Sequence, residues 1–173
     1  MTRRRLISGV GVLALLLGSM PGIASAEPPG AGADKASEVR ADLDGRPLDP
    51  GRAGAFYCHD FDYPAIHCFS EAATLEDAVA PAVEAAAAAG VDYVVVFDYT
   101  WFAGSYMYIS QDYTALVFLG WNDRISSFMA RNGQQGRFWT DWFYTGTAYY
   151  FCCNQQVASL GSYSNTFSSV YRL

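Results

Sequence analysis

The sequence predicts a mostly β protein, a sandwich of two Greek-key motifs preceded by a short hairpin and one helix. Three observations predict it. The last part of the chain repeats itself at an offset of 42 residues, so that Gly104 answers Gly146 and Ser127 answers Ser169; self-similarity at a fixed period reports architecture before any single element does. Aromatic residues are abundant, with 12 Tyr, 11 Phe and 4 Trp, and they suit half-buried pleated faces. Each repeat divides into four short apolar runs with turns between them, the pattern of a Greek key.

The chain opens as an export signal over residues 1–26. Arg3–Arg4–Arg5 is a basic start, Leu6 to Leu17 is an apolar run too short to span a bilayer stably, and Ala24–Ser25–Ala26 is a cleavage site. Thr2–Arg3–Arg4–Arg5–Leu6 also fits a twin-arginine signal, so the general and the twin-arginine routes both stay open. A secreted or extracytoplasmic product with no membrane span is expected. Residues 27–54 are Pro, Gly, Ala, Asp and Arg with few large apolar side chains, which predicts a disordered linker. Residues 55–90 read as an extension. Ala55–Cys58 and Ile66–Phe69 are the arms of a hairpin, and Thr74–Leu75–Glu76–Asp77 is a capping box opening a helix that Gly90 stops near Ala89. Pro81 is expected to kink or divide that helix. Leu75, Val79 and Val83 share one stripe and are expected to pack on the sheet.

Residues 91–173 hold the repeat. Tyr93–Phe97, Gly104–Ile109, Leu116–Leu119 and Ser127–Ala130 are the predicted strands of the first unit. Asn132–Gly133 and Gly136 join the units, and the second repeats the order to Leu173.

Charge and motifs exclude several function classes. Removing the signal takes away three arginines and no acid, moving the formal charge from −6 to about −9. That argues against nucleic acid and anionic membranes, which need basic footprints. No Gly-x-Ser-x-Gly elbow, His-Glu-x-x-His or phosphate loop occurs, so no enzyme is expected. Cys58, Cys68, Cys152 and Cys153 are disulfide candidates in an exported chain, with three pairings possible. Cys58–His59 and His67–Cys68 resemble a set of zinc ligands. Strand neighbours point to opposite faces, however, so a disulfide with two outward histidines is the expectation.

Two motifs recur in each unit. Phe97 and Phe102 are followed by Ala103–Gly104, and Trp139 and Tyr144 by Thr145–Gly146. Eighteen residues after each glycine comes a polar stretch, Asn122–Asp123–Arg124–Ile125–Ser126–Ser127 and then Ser164–Asn165–Thr166–Phe167–Ser168–Ser169. The pair resembles the βγ-crystallin superfamily, whose hairpin signature is aromatic-x4-aromatic-x-Gly and whose calcium-binding members carry Asn/Asp–Asn/Asp–x–x–Ser/Thr–Ser in each Greek key. The resemblance implies a double clamp for two calcium ions. Carried over by position, the hydroxyls are Ser126 and Ser168, the carbonyl positions Asp123 and Asn165, and the hairpin positions Asp98 and Thr140, with Asn122 and Ser164 heading the stretches. Calcium, a hard cation, takes six to eight oxygens of these kinds. Ser164 in place of Asn or Asp, and Thr140 in place of an acid, leave the second half-site with less charge, so weak binding is expected. Without metal, the same residues make turns.

The resemblance implies a second activity as well. Small exported bacterial proteins similar to this one include inhibitors of metalloproteinases, which fill a protease cleft with a rigid loop. A third reading is an envelope or surface interaction protein using exposed aromatics. A monomer is expected in each case.

Overall fold

The computed structural model describes residues 39–173. The export signal, and the linker expectation for residues 27–38, lie outside the described residues.

The linker expectation does not hold from residue 39 onward. β1 (Arg40–Leu43) and β2 (Arg46–Leu48) form an antiparallel hairpin. Asp44 and Gly45 at its turn both have positive φ, 50° and 77°, the conformation of the tight turns for which Asp-Gly is suited. Asp42 Oδ1 accepts from the Gly45 N–H at 3.1 Å. A 3₁₀ segment follows over Pro50–Ala55, with the Asp49 side chain accepting from the Gly51 N–H. Composition misled here because these strands bury little by themselves. β1 is stabilised by adding in parallel to β4 (Ala65–Phe69), Asp42 lying beside His67, while Ala41, Leu43 and Leu48 pack against the core.

The next hairpin carries the expected disulfide, but its first arm begins at Tyr57 in place of Ala55, and His59 is buried where an outward histidine is expected. β3 (Tyr57–His59) pairs antiparallel with β4, placing Cys58 opposite Cys68, and a disulfide joins them. His59 and His67 lie on the other face, ring centroids 5.3 Å apart. Helix α1 runs over Ala72–Ala89. It starts earlier than the capping box implied, with Glu71 at the N-cap and no side-chain cap bond, and it continues through Pro81. Gly90 ends it with φ 68°, its N–H reaching Ala86 and Ala87 carbonyls. Leu75 and Val79 are buried and Val83 packs beside them, on Tyr93, Val95, Phe97 and Tyr108.

The repeat then folds as two copies of one pattern. β5 (Tyr93–Tyr99), β6 (Ala103–Ile109) and β7 (Ser127–Arg131) belong to the first copy; β8 (Gly136–Trp139), β9 (Ala148–Phe151), β10 (Gln156–Val157) and β11 (Ser169–Arg172) to the second. Phe97 pairs with Tyr106 and Ser127, and Trp139 with Ala148 and Ser169. Those registers are related by the same 42 residues as the sequence. Each copy lends a short piece to the other's sheet: β10 pairs with β7, and Tyr113 bridges to Val170. The strand orders are β10-β7-β5-β6-β3-β4-β1-β2 and β11-β8-β9. Between the sheets lie Trp121, Phe128, Phe138, Phe151 and Phe167, all fully buried.

Leu116–Leu119 is a 3₁₀ turn and not a strand. Leu116 and Leu119 are buried while Val117 and Phe118 are exposed, a spacing of three that an alternating strand cannot give. Gly120 closes the turn in the left-handed region at φ 67°.

Asp60 ties the extension to the repeat. It is fully buried, and accepts from the Ser110 N–H at 2.6 Å and the Tyr113 hydroxyl at 2.8 Å. Burial pushes its carboxyl up to about 6 against the pull of those donors. The folded state therefore holds this proton more tightly than the unfolded chain does. The resulting stabilisation is present below the ordinary carboxylate range and is lost as pH rises through about 6. Urea unfolding should show stability falling by on the order of 3 kcal/mol between about pH 4 and 6. Asp60→Asn should flatten that slope, and an unaltered slope in the variant would place its origin elsewhere.

Candidate metal centre

Local sequence makes each hairpin fold over on itself. Trp101 and Phe102 have φ 60° and 59°, and Phe143 and Tyr144 have φ 55° and 60°. Bulky residues resist this left-handed region by about 1–2 kcal/mol each. Gly104 and Gly146 follow at φ 80° and 78°. A Cβ at Gly104 would lie 2.9 Å from the Tyr99 ring, and one at Gly146 2.4 Å from Thr140 Oγ1, so the signature glycine is needed for space as well as for φ. Phe97 closes edge-on over Phe102 at 5.5 Å, whereas Tyr144 turns to Tyr171 at 5.3 Å.

The last serine of each polar stretch holds its own hairpin. Ser127 Oγ donates to Tyr99 O at 2.6 Å and accepts from Phe102 N at 3.1 Å. Ser169 Oγ donates to Asp141 O at 2.7 Å and accepts from Tyr144 N at 3.1 Å. Both serines are fully buried. The tips are anchored to the other copy too, Trp101 N to Ala158 O at 2.6 Å and Phe143 N to Thr114 O at 2.7 Å.

The preceding serine in each stretch reaches across to the other copy. Ser126 Oγ donates to Asn165 Oδ1 at 2.8 Å, and Ser168 Oγ to Asp123 Oδ1 at 3.4 Å. The backbone crosses in the same sense, Asn165 N to Ile125 O at 3.0 Å and Asp123 N to Phe167 O at 2.9 Å. Asp123 and Asn165 carry positive φ, 55° and 58°. Four of the eight positions singled out in the sequence, Ser126, Asn165, Ser168 and Asp123, thus meet as two crossed pairs. Their donor atoms are all oxygen, which suits a hard cation and not a soft one.

The other four are engaged differently. Asp98 is clamped by Arg124, Nε to Oδ1 at 3.0 Å and Nη2 to Oδ2 at 2.6 Å. Bonding to that carboxylate holds the Arg124 guanidinium above its ordinary range. Asp98 was the acid expected to strengthen the first half-site, and its charge is instead neutralised there. Asn122 Oδ1 accepts from Trp142 Nε1 at 2.9 Å, and its amide donates to Asp123 Oδ2 at 2.7 Å. Thr140 Oγ1 accepts from the Thr147 N–H at 2.9 Å. Ser164 ends a 3₁₀ turn, its N–H on Gly161 O. Sequence reasoning passed over Ser127, Ser169, Arg124 and Trp142. The serines are identical in both copies, a signal that could have found them; the Arg124–Asp98 contact has no such signal.

Neither here nor elsewhere among the described residues do three His, Cys, Asp or Glu side chains group to hold a metal ion. Cys152 and Cys153 are free thiols at a turn, Cys153 with φ 62°. No helix among the described residues is long and apolar enough to cross a membrane.

Paired Greek keys, exchanged edge pieces and serine-anchored hairpins make one domain of two like copies. The chain matches no protein-family model and no curated protein sequence. Among solved structures it is similar to a βγ-crystallin from Ciona intestinalis, at 23% identity over 47% of this chain and 99% of that one, TM-score 0.43. A βγ-crystallin from an archaeon gives 23% identity over 48% and 99%, TM-score 0.41. A βγ-crystallin domain from Clostridium beijerinckii gives 17% identity over 46% and 95%, TM-score 0.42.

Replacing Ser127 or Ser169 by Ala leaves a backbone N–H and a carbonyl of a strained tip without their partner. Each change should lower stability by about 1–2 kcal/mol in urea titration. An unmoved unfolding midpoint would show that the tips hold themselves.

Proposed function

We propose that this is an exported, non-enzymatic binding module that takes calcium weakly at the crossed pairs. The observation that supports the reading is the reciprocal meeting of Ser126 with Asn165 and of Ser168 with Asp123. When bound, the ion would supply a charge that ties the two copies together. The residues that would hold it are these four, with Asp123 the single carboxylate among them. One carboxylate implies the weak range of extracellular modules, a dissociation constant of about 10⁻⁴–10⁻³ M. At ten times that concentration the added stability is about 1.4 kcal/mol, an aid to folding and not a switch.

Calorimetric titration with calcium chloride, paired with thermal unfolding, tests this. Binding heat and a raised melting temperature are expected, both lost in the Ser126→Ala, Ser168→Ala double variant. Arg124→Ala frees the Asp98 carboxylate and should tighten binding severalfold. Silence in both measurements, or full binding by the double variant, would end the proposal.

A second reading has one observation in its favour. Trp101 and Phe143 are 77% and 67% exposed at tips fixed by buried serines. A rigid protruding tip loses little freedom on docking, which suits an inhibitor of extracellular proteases or a surface interaction protein. Incubation with a thermolysin-like metalloprotease should leave the chain intact and the protease slowed. Cleavage of the folded domain with protease activity undiminished would remove the inhibitor reading.

A further inference from the structure

The outer face of the first sheet carries a feature that neither the repeat nor the clamp requires. A groove of about 360 Å³ lies between α1 and strands β5, β6 and β7. Its walls include Phe97, Phe102, Tyr106 and Tyr108, with Glu76 and Arg131 also on its lining. Glu76 is held in place: Oε1 accepts from the Tyr106 hydroxyl at 2.6 Å, and Oε2 from the Tyr108 hydroxyl at 3.0 Å. Arg131 donates to Met129 Sδ at 2.7 Å and to Ala130 O at 3.3 Å. Among the described residues no carboxylate comes within ion-pair distance of it.

The second copy shows what the Greek key needs at these places. Forty-two residues on, Ala148 stands for Tyr106, Gln135 for Tyr93 and Leu173 for Arg131. The fold forms there without a tyrosine at the first two of these places or a guanidinium at the third, while Trp139, Tyr144 and Tyr150 keep an aromatic where Phe97, Phe102 and Tyr108 stand. Docking of α1 accounts for Tyr93, Val95 and Phe97 beneath Leu75 and Val79. It does not account for an unpaired guanidinium on the lining.

We infer that this groove binds a neutral saccharide. Aromatic walls offer apolar faces for the C–H side of a sugar ring, while a few fixed polar groups set orientation. A carboxylate accepts from sugar hydroxyls, and a guanidinium donates to their oxygens. The two charges select against charged ligands: a cation drawn to Glu76 meets Arg131, and an anion drawn to Arg131 meets Glu76. A neutral polyhydroxyl ligand satisfies both.

The test is titration of the ¹⁵N-labelled chain with hexasaccharides of β-1,4-N-acetylglucosamine, β-1,4-glucose and β-1,3-glucose, with choline and glycine betaine alongside. Saturable amide shifts confined to residues 93–97, 106–108 and 129–131 are expected with at least one hexasaccharide. Tyr106→Ala and Arg131→Leu take the second copy's residues, and each should weaken that binding at least tenfold with the melting temperature kept. Should Tyr106→Ala fail to fold, Arg131→Leu alone decides. The Ser126→Ala, Ser168→Ala variant should bind saccharide unchanged, which separates this site from the clamp. No shift with any hexasaccharide, shifts that survive Arg131→Leu, or shifts with choline or betaine alone would overturn the inference.

Discussion

Two serine hydroxyls, each with a bond on either side, hold this domain in its shape. Ser127 and Ser169 sit fully buried under folded hairpins whose tip residues occupy the left-handed region. Two such residues per hairpin cost a few kcal/mol, and an isolated hairpin would relax them. Here each tip has its N–H groups taken by the buried serine and by a carbonyl of the other copy. Neighbouring Ser126 and Ser168 then lock the copies to each other. Adjacent residues on one strand entry point opposite ways, so one Ser-Ser dipeptide fixes both a hairpin and the pseudo-symmetric joint.

Much of this was legible, because repetition is a signal that composition cannot blur. The offset between Gly104 and Gly146 is also the offset between the registers of β5 and β8. Leu75, Val79 and Val83 declared a helix face, and alternation separated the disulfide from the histidines on β3 and β4. What was illegible depended on partners distant in sequence. Residues 40–48 look too polar to fold, and they fold because β4 offers an open edge to pair with. Asp44–Gly45 signalled their turn, but composition outweighed it. Leu116–Leu119 is apolar throughout, so its period could not be read until burial revealed it.

At the clamp, residue types were legible and their charge state was not. Asp98 and Arg124 are 26 residues apart, on a strand end and within a loop, and only the folded chain brings them to 2.6 Å. Position alone made the first half-site the richer in charge. The ion pair cancels that advantage, leaving Asp123 as the free acid of the crossed pairs. Thr140 and Thr166 stand at the corresponding places of the second copy, where neither charge exists. The two copies therefore reach a similar neutrality by different routes.

That difference bears on how the repeat divides its labour. Where copies must agree, at glycine, serine and strand register, they agree residue for residue. Where they diverge, the fold places no demand, and divergence there is free to serve binding. The outer face makes the case most clearly. One copy presents Arg137, Ala148 and Tyr150 toward solvent; the other presents Val95, Tyr106 and Tyr108 beneath a helix that the repeat does not contain. Packing explains why apolar rings lie under Leu75 and Val79. It does not explain a carboxylate pinned by two tyrosines on the lining that it shares with an unpaired arginine. Glu76 stays exposed while both tyrosine hydroxyls fix it, so acid and arginine both reach solvent on one lining, where the rim of the proposed groove lies.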